Sequence, residues 1–440
     1  MRRTLTGAAL RWGAVEGMAM TRQATNWAGN ITFTAARRHS PSSVEEIQHL
    51  VAGAERVRAL GTGHSFNRIA DTSGDLVSLA GLPPTMDIDA VNGTVTVGAA
   101  IRYGELAAHL QASGFALHNL GSLPHISVAG ACATGTHGSG VGNGSLPTAV
   151  AAMELVTADG ELAVLSRGAN GDVFRGAVIG LGALGIVTSL TLDIQPTFEV
   201  EQYVYEGLPF EQATEHHADI LASGYSVSLF TDWTGSGFNQ VWLKRRVDTR
   251  EGTPQRHWMG ARLADGPRHP VPGMSAANCT EQLGVPGPWQ TRLPHFRLEF
   301  TPSSGDELQS EYFVPGHLAA DALRAIDGIR DRVAKVLQIS EIRTIAADDL
   351  WLSPAYARDS VALHFTWIND IDAVTPVLAA IEERLADFGA RPHWGKVFTT
   401  TAEVVRGLYE RWLDFAELLH RYDPAGKFRN EMLEQYFPGR

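Results

Sequence analysis

The sequence reads GTGHSFN at residues 61–67, a glycine turn placed directly after a predicted strand at residues 56–60. A second stretch, TGTHGSGVGNGS at residues 134–145, alternates glycine with small polar residues. Backbone N–H groups in such turns can approach an anion closely, and serine and threonine hydroxyls add donors. Two separated loops of this kind favour a pyrophosphate-containing cofactor over the alternative, ordinary flexible surface loops.

A third glycine segment, GLGALG at residues 180–185, matches the dinucleotide-binding pattern G-x-G-x-x-G. That pattern binds a dinucleotide when it follows a strand and opens a helix. Here residues 172–178 predict a helix before it and residues 186–192 a strand after it. The reversed order argues against a nicotinamide-binding fold, and no Gly-Lys-Ser/Thr sequence is present for a P-loop.

The composition is that of a globular protein large enough for two domains. The chain has 440 residues, 45 of them glycine, and a formal charge of −12. Chains beyond about 250–300 residues usually divide into domains. The acidic balance argues against a nucleic-acid or anionic-membrane partner, and no apolar run reaches the length of about 18 residues that a membrane span needs. Cys132 and Cys279 lie far apart without CxxC spacing, which excludes a disulfide framework and a zinc ribbon.

In the first half, short strands and amphipathic helices alternate without strict βαβ order, so the sequence predicts the α+β class. The predicted helices lie at residues 44–53 and 103–112, and the predicted strands at 56–60, 75–79, 86–88, 94–97, 153–157, 162–165 and 186–194. A capping box precedes the first helix.

In the second half, alternation with period two predicts a largely antiparallel sheet with one covered face. The predicted strands are residues 225–230, 240–244, 307–313, 341–345, 361–367 and 394–399. Helices predicted at 318–337 and 374–388 would cover the sheet, and residues 250–294 predict a loop. The expected division is a first domain at 26–196, a second domain at 197–400 and a helical segment at 401–440 that returns to the first domain.

The N-terminal residues 1–25 are expected to be a disordered extension or to reflect an upstream start codon. Arg2 and Arg3 resemble a twin-arginine signal, but Arg11 and Glu16 interrupt its apolar core. A cytoplasmic location is therefore expected.

GTGHSFN, GSLPHISVAGACATGTHGSG and GLGALGIVTSLTL together resemble the flavin-binding domain of the vanillyl-alcohol-oxidase family, also called the p-cresol-methylhydroxylase type. Within that family the match narrows to the alditol (xylitol) oxidases, through segments such as TDWTG, VWLKRR, LQSEY, HFTW and RPHWGK. The resemblance spans residues 26–437. It implies an FAD-binding domain and a substrate-binding cap domain with a large antiparallel sheet covered by helices.

In the resembling family the histidine of the GxGHS turn is bonded covalently to FAD, and His64 holds that position here. Taken alone, a histidine in a glycine loop is more often a surface or capping residue. The other residues that the resemblance places around FAD are Ala59, Leu60, Gly61, Thr62, Gly63, Ser65, Ser122, Ser127, Gly130, Thr134, Gly135, Thr136, His137 and, through backbone contacts near it, Ile186. His137 fits equally well a position behind the direct contacts. Gly121 would leave room for oxygen beside the flavin.

On strands, residues two apart share a face, so Glu341 points with Arg343, His364 with Thr366, and Gln309 with Glu311. The residues alone are explained as well by the solvated face of an antiparallel sheet. The resemblance instead implies a substrate site made of Ser122, Gln309, Glu341, Arg343, His364, Thr366 and Lys396, with Lys396 on another predicted strand. A polyol offers only hydroxyl groups, so its site needs many donors and acceptors.

The resemblance also implies the reaction, which is oxidation of the terminal hydroxyl of xylitol or sorbitol to the aldose. Hydride would pass to flavin N5, and O2 would then be reduced to H2O2. Arg343 and Lys396 would stabilise alkoxide character at the reacting oxygen, while Glu341 and His364 orient neighbouring hydroxyls. His364 is the weaker candidate for the base. The expected partners are a polyol and O2, without a metal, nucleic acid or membrane, and the expected state is a monomer.

Two alternatives stay open at this point. One is an aldonolactone oxidase or dehydrogenase of the same family. The other is a flavoprotein that binds a sugar or senses redox state without turnover. A hydrolase is disfavoured because no G-x-S-x-G nucleophile elbow is present.

Overall fold

The structure, a computed structural model, describes residues 24–250, 252–301, 303 and 305–438. The predicted N-terminal extension therefore lies outside the described residues except at its end. There Phe33 donates its N–H to the carbonyl of Ala24, and Thr25 bridges Thr32. Among the described residues, no helix is long and apolar enough to cross a membrane.

The structure contains many strands. Within the described residues they are β1 (Arg37–His39), β2 (Val57–Leu60), β3 (Asp75–Ser78), β4 (Met86–Asp89), β5 (Thr94–Gly98), β6 (Phe115–Ala116), β7 (Val150–Val156), β8 (Leu162–Ser166), β9 (Ile186–Asp193), β10 (Gln195–Pro196), β11 (Glu199–Pro209), β12 (Ser226–Thr231), β13 (Gly237–Arg246), β14 (His257–Trp258), β15 (Ala261–Leu263), β16 (Gly287–Pro288), β17 (Leu308–Pro315), β18 (Leu337–Ile345), β19 (Ser360–Trp367) and β20 (Arg391–Pro392).

The α-helices are shorter than several of the predictions. In the described part of the chain they are α1 (Val44–Gly53), α2 (Tyr103–Ala112), α3 (Val128–Ala133), α4 (Arg167–Val178), α5 (Phe210–Glu215), α6 (His217–Leu221), α7 (Ala319–Asp327), α8 (Arg330–Val333), α9 (Ile371–Leu385), α10 (Ala402–Leu408), α11 (Trp412–Tyr422) and α12 (Glu431–Tyr436).

Two sheets form the first half. A parallel three-stranded sheet has the order β1-β3-β2, and an antiparallel five-stranded sheet has the order β4-β5-β9-β7-β8. Helix α1 begins where Ser43 Oγ accepts a hydrogen bond from the N–H of Glu46, and it buries Ile47 and Val51 with Val57 of β2. Helices and two kinds of sheet are therefore mixed without a repeating βαβ order, which confirms the α+β prediction.

A ten-stranded sheet dominates the second half, with the order β14-β15-β11-β13-β12-β18-β19-β17-β20 and β16 paired to β11. Its central pairs β12–β18, β18–β19 and β17–β19 are antiparallel. Helices α5, α7 and α9 lie on one face, where Leu229, Leu323 and Phe365 join one buried cluster. Strands β17, β18 and β19 are buried along most of their length. The opposite face of this part of the sheet is therefore also covered, not solvated.

Two predicted elements of the second half are wrong. The helix predicted at 318–337 ends at Asp327, resumes as α8, and gives way to β18 at Leu337. Pairing of β18 with β12 and β19 outweighs the helical periodicity there. Residues 394–399, predicted as a strand, form a turn in which Lys396 donates its N–H to the carbonyl of His393. The short strand Arg391–Pro392, which precedes this turn, pairs with β17.

The last forty residues pack against the first half. The Asn430 side chain donates to the carbonyls of Arg68, Ile69 and Asp71. Phe437 stacks on Trp412 with ring centroids 4.1 Å apart. The helical segment predicted at 401–440 divides into α10, α11 and α12. The predicted domain boundaries stay predictions.

Candidate active site

A cavity of about 240 Å³ lies between the glycine turns of the first half and the ten-stranded sheet. Segments far apart in the sequence line it, so tertiary packing is needed to assemble it. The predicted residues that line it are Ala59, Leu60, Gly61, Thr62, Gly63, His64, Ser65, Gly121, Ser122, Ser127, Gly130, Thr134, Thr136, His137, Gln309, Glu341, Arg343, His364, Thr366 and Lys396.

Two residues predicted to contact the cofactor lie outside this lining. Ile186 is fully buried in a cluster with Ile47 and Val57, because inward positions of β9 pack on α1 and β2. Its neighbours Gly185 and Val187 line the cavity instead. Gly135 faces Pro354, whose ring would lie 3.3 Å from a Cβ added at that glycine.

One side of the cavity, the glycine wall, consists of residues 59–67, 121–122 and 126–137. Helix α3, which the sequence did not predict, lies within it. The Ser127 N–H donates to Thr62 Oγ1 at 3.1 Å, which ties the helix to the 61–67 turn. A Cβ added at Gly61 would lie 2.4 Å from Ser127 Oγ, so only glycine permits this approach.

His64 is held in the wall by stacking. Its ring centroid lies 5.4 Å from that of Trp27, with an interplanar angle of 19°. Neither ring nitrogen of His64 has a hydrogen-bond partner among the described residues. Burial lowers the pKa of His64 to about 4. The imidazole is therefore neutral at physiological pH and has a nitrogen lone pair available beside the cavity.

The 134–145 stretch contributes only its first part. Thr134, Thr136 and His137 line the cavity. Beyond them the chain turns onto the large sheet, where Gly140 donates its N–H to the carbonyl of Thr344 and Ser139 Oγ donates to the carbonyl of Val227. The stretch predicted to hold a pyrophosphate therefore lines the cavity only as far as His137, because the chain after it packs on the large sheet.

The other side of the cavity, the charged floor, comes from β17, β18, β19 and the turn after β20. Glu311 of β17 and Glu341 of β18 are both paired with His364 of β19. Residues two positions along each strand share that face. The floor therefore places Gln309, Glu311, Glu341, Arg343, His364 and Thr366 side by side.

Glu311 is the centre of the floor, with 1% of its surface exposed. Its Oε1 accepts a hydrogen bond from Arg343 Nη2 at 2.7 Å, and its Oε2 accepts one from Lys396 Nζ at 2.8 Å. His137 Nε2 of the glycine wall lies 3.1 Å from Oε1. One buried carboxylate thus holds two cations and contacts the opposite side of the cavity.

His364 has both ring nitrogens engaged. Lys396 Nζ donates to Nδ1 at 2.7 Å, because an ammonium group has no acceptor. The remaining proton on the neutral ring lies on Nε2, which donates to Thr366 Oγ1 at 3.1 Å. Burial and the neighbouring Lys396 hold the pKa of His364 well below its usual value, which argues against this imidazole as a base.

The charges of the floor are mutually stabilised. Burial alone would raise the pKa of Glu311, but Lys396, His137 and Arg343 hold that pKa well below its usual value. Burial would likewise raise the pKa of Glu341, which Arg343 and His295 lower. Burial lowers the pKa of Lys396. Both carboxylates are therefore ionised beside two cations in a region with little water.

The two sides of the cavity match two different protein families. Residues 36–166 match the FAD binding domain family and residues 306–436 match the D-arabinono-1,4-lactone oxidase family. The alditol oxidase of Streptomyces sp. is 54% identical over 423 residues, which cover 96% of this chain and 100% of that protein. The chain belongs to the alditol oxidase family.

Other relatives are less similar to this chain. The L-gulono-1,4-lactone dehydrogenase of Mycobacterium tuberculosis strain H37Rv is 29% identical over 92% of this chain and 97% of its own length. The L-gulonolactone oxidase of Mus musculus is 26% identical over 94% and 98%. Cholesterol oxidase from B. sterolicum shares the fold, with a TM-score of 0.76 at 15% identity over 94% and 96% of the two chains.

The alditol oxidase family context makes FAD the cofactor to test against the cavity. Its wall consists largely of glycine, alanine, serine and threonine, which lets backbone amides approach a pyrophosphate. The buried His64 ring with unpartnered nitrogens is a suitable attachment point. The residues present therefore fit FAD. Among the described residues no group of three or more His, Cys, Asp or Glu could hold a metal ion.

Several residues of the site were not predicted from the sequence. Glu311 was paired with Gln309 on one face but was given no role. His295, which donates from Nε2 to Glu341 Oε1 at 2.7 Å, comes from the loop between β16 and β17. Behind it lies Lys244 of β13, and His393 lines the cavity beside Lys396. For Lys244 and Glu311 the sequence signal was the period-two alternation of β13 and β17. No sequence pattern indicated His295, which lies in a loop.

Proposed function

We propose that this chain is an FAD-dependent oxidase that converts the terminal primary hydroxyl of alditols such as xylitol or sorbitol to the aldose, with reduction of O2 to H2O2. The observation that carries the proposal is the charged floor, where Glu311 pairs with Arg343 and Lys396 opposite the glycine wall. Membership of the alditol oxidase family and the match to the FAD binding domain family support it.

The glycine wall is proposed to hold FAD, with His64 bonded covalently to it. FAD, when bound, accepts the two electrons released by the alcohol and passes them to O2. Trp27 fixes the plane of the His64 ring, and the neutral state of the ring keeps its lone pair available. The residues proposed to contact FAD are Ala59, Leu60, Gly61, Thr62, Gly63, Ser65, Ser122, Ser127, Gly130, Thr134, Thr136 and His137.

Arg343 and Lys396 are proposed to stabilise negative charge at the reacting hydroxyl oxygen. Both cations line the cavity, and Glu311 holds each by a single hydrogen bond, so donors remain available on both. Preorganised cations in a site shielded from water are worth more than in water, because they need no reorganisation during the reaction. Arg343 Nη1 also donates to Ser122 Oγ at 3.3 Å, which joins this cation to the opposite side.

Glu341 and the neutral polar groups around it are proposed to select a polyol. Glu341 Oε1 accepts from His295, while Glu341 also lines the cavity and can accept from a substrate hydroxyl. Gln309, Thr366 and Ser122 add further donors and acceptors, and His364 orients Thr366. A site built to hydrogen-bond hydroxyls rejects analogues that lack them, because its buried polar groups would be left unpaired.

An aldonolactone oxidase or dehydrogenase is the second candidate. It is favoured by the match of residues 306–436 to the D-arabinono-1,4-lactone oxidase family, which includes most of the charged floor. The two candidates differ in substrate and acceptor. The purified protein should form H2O2 with xylitol under air and show little activity with galactonolactone. Faster turnover of the lactone with an artificial acceptor than of xylitol with O2 would reverse the assignment.

The covalent bond to His64 has its own test. The purified protein should be yellow, and the colour should stay in the acid-precipitated pellet. In a His64→Ala variant the flavin should pass into the supernatant, while a His109→Ala variant, altered in α2, should retain it. Flavin in the acid pellet of the His64→Ala protein would contradict the attachment.

The proposed enzyme acts as a cytoplasmic monomer. Sedimentation of the holoprotein at several concentrations should give a single species near 47.5 kDa. A mass twice that value would contradict the monomer.

A further inference from the structure

Lys244 lies buried behind the charged floor, and burial lowers its pKa to about 7, so at pH 6 its side chain is an ammonium group. Only 1% of its surface is exposed, and it lies near the end of β13. Its Nζ donates to the carbonyls of Leu293 and Pro294. Its third donor reaches Nδ1 of His295 at 3.1 Å. All three protons of the ammonium are therefore used, as a buried charge requires.

The bond from Lys244 fixes the tautomer of His295. An ammonium group can only donate, so Nδ1 of His295 must present its lone pair. Burial, and then Lys244, lower the pKa of His295 to about 4, so the ring carries one proton. That proton lies on Nε2, which donates to Glu341 Oε1 at 2.7 Å.

This fixed tautomer acts on Glu341, which lines the cavity. With the N–H of His295 directed at Oε1, the favoured form of Glu341 is the carboxylate, and its Oε2 has no protein donor among the described residues. The opposite tautomer would place a lone pair against Oε1 and favour a protonated, misdirected carboxyl group. Lys244 itself lines no part of the cavity.

We infer that Lys244 and His295 are positioning residues that hold Glu341 as a carboxylate with one oxygen free to accept a hydrogen bond from a substrate hydroxyl. The inference rests on the proposed polyol oxidation. It extends that function to Lys244, which lines no part of the cavity, and to His295, which lines the cavity beside Glu341. Buried polar relays of this kind carry more energy than their separate bonds suggest, because the interior is a medium of low dielectric constant.

A purely structural role is the competing explanation. Lys244 also holds the 293–295 segment through two carbonyls, and the Ser122 carbonyl accepts the N–H of His295 at 3.2 Å. Thr280 offers a matched control, because its Oγ1 donates to the Pro294 carbonyl at 2.7 Å without touching the His295 ring. A Thr280→Val variant therefore weakens the same segment and leaves the relay intact.

The decisive experiment is a double-mutant cycle measured on the holoenzyme with xylitol at pH 6. Lys244→Met should lower kcat/KM about tenfold, mainly through KM, whereas its effect in a Glu341→Gln background should be less than about twofold. Thr280→Val should lower thermal stability and leave KM unchanged. Methionine matches the lysine in length. Equal losses in both backgrounds would overturn the inference.

The His295 side chain supplies a rescue test. In a His295→Gln variant the amide oxygen can accept from Lys244 while the amide nitrogen donates to Glu341. This variant should keep a KM within about threefold of the wild type, and His295→Leu should raise KM about tenfold or more. Equal KM values for the two variants would contradict the relay.

A spectroscopic measurement separates failure of the inference from failure of the proposed function. In protein labelled with ¹⁵N-histidine, the two ring nitrogens of His295 should show the Nε2–H tautomer in the wild type, and Lys244→Met should remove that pattern. An Nδ1–H tautomer in the wild type would overturn the inference whatever the enzyme oxidises. A wild type with the expected tautomer and no polyol oxidation would instead contradict the proposed function alone.

Discussion

The two sides of the cavity are built in different ways. The glycine wall uses backbone amides and small side chains from short continuous segments, with two imidazole rings, His64 and His137, in the cavity lining. The charged floor uses long side chains from four separate segments, paired around Glu311, which is 1% exposed. The wall depends on close backbone approach, whereas the floor depends on charges that neutralise one another.

The two sides of the cavity are therefore sensitive to different kinds of substitution. In the wall, a change matters when it adds atoms, as at Gly61, where a Cβ would lie 2.4 Å from Ser127 Oγ. In the floor, a change matters when it removes a charge, because the partner is left buried and unpaired. Substitutions in the floor should therefore have larger effects on stability and activity than small additions to the wall.

The largest effect is expected from Glu311→Gln. The amide keeps the shape but leaves Arg343 and Lys396 without their shared carboxylate, and breaking a buried pair costs about 3–5 kcal/mol. Chemical unfolding should show that loss, and the displaced cations should lower kcat about 100-fold. The control is Asp349→Asn, whose partner Arg175 is 39% exposed, and which should cost less than about 1 kcal/mol. A fully active, equally stable Glu311→Gln protein would remove Glu311 from the centre of the floor.

Next in size is Arg343→Met, which tests the charge at the reacting oxygen. Loss of a preorganised donor of this kind lowers kcat about 10²–10³-fold. Arg343→Lys should recover only part of the rate, because lysine lacks the fork that reaches both Glu311 and Ser122. Turnover of xylitol under air and single-turnover reduction without oxygen measure the effect. A raised KM with an unchanged kcat would show that Arg343 only binds substrate.

The sequence predicts the wall better than the floor, and the reason is distance along the chain. GTGHSFN places His64 and its glycines within seven residues, so a local pattern carries their function. Glu341, Arg343, His364 and Thr366 were predicted together because period-two alternation sets which residues share a face.

The sequence could not reveal what depends on contacts between segments. The role of Glu311 arises from the register of β17 with β19 and from a turn at Lys396 that was predicted as a strand. His295 lies in a loop without periodicity, and its contact with Glu341 joins residues 46 positions apart. Ile186 itself lies outside the cavity lining while its neighbours Gly185 and Val187 lie within it, and the alternation of β9 gave no indication of which face meets the cavity.

A smaller effect is expected in the pH dependence of stability, where the floor again dominates. Burial lowers the pKa of His295 to about 4, and it also lowers the pKa values of His137, His364 and His393. In the unfolded chain each of these side chains binds a proton near pH 6.5, whereas the folded protein binds it only at lower pH. The contribution of these histidines to stability is therefore full above about pH 6.5 and falls as the pH decreases from there towards 4.

The variant His295→Gln isolates one of these contributions. Each such histidine adds a slope of about 1.4 kcal/mol per pH unit between the two pKa values, so the slope should be shallower by that amount in His295→Gln. Thr280→Val, which removes no titratable group, should keep the wild-type slope. Urea unfolding at several pH values between 4.5 and 6.5 measures it. An unchanged slope in His295→Gln would mean that His295 is already protonated in the folded protein.

The smallest effect is expected in the wall, from Gly121→Ala. An added Cβ would lie 3.5 Å from the His137 carbonyl oxygen and 3.8 Å from Thr136 Cγ2, which is ordinary contact, so the protein should fold and bind flavin normally. The methyl group would occupy space that lines the cavity beside Ser122, where oxygen is proposed to approach. Stopped flow should therefore show wild-type reduction by xylitol without oxygen and a reoxidation several-fold slower. Gly168→Ala, at a glycine with open surroundings, should match the wild type in both steps. The change adds one carbon and removes no charge. Equal reoxidation rates in Gly121→Ala and the wild type would therefore show that oxygen reaches the flavin by another route. They would also show that the wall tolerates a methyl group, whereas the floor tolerates no lost carboxylate.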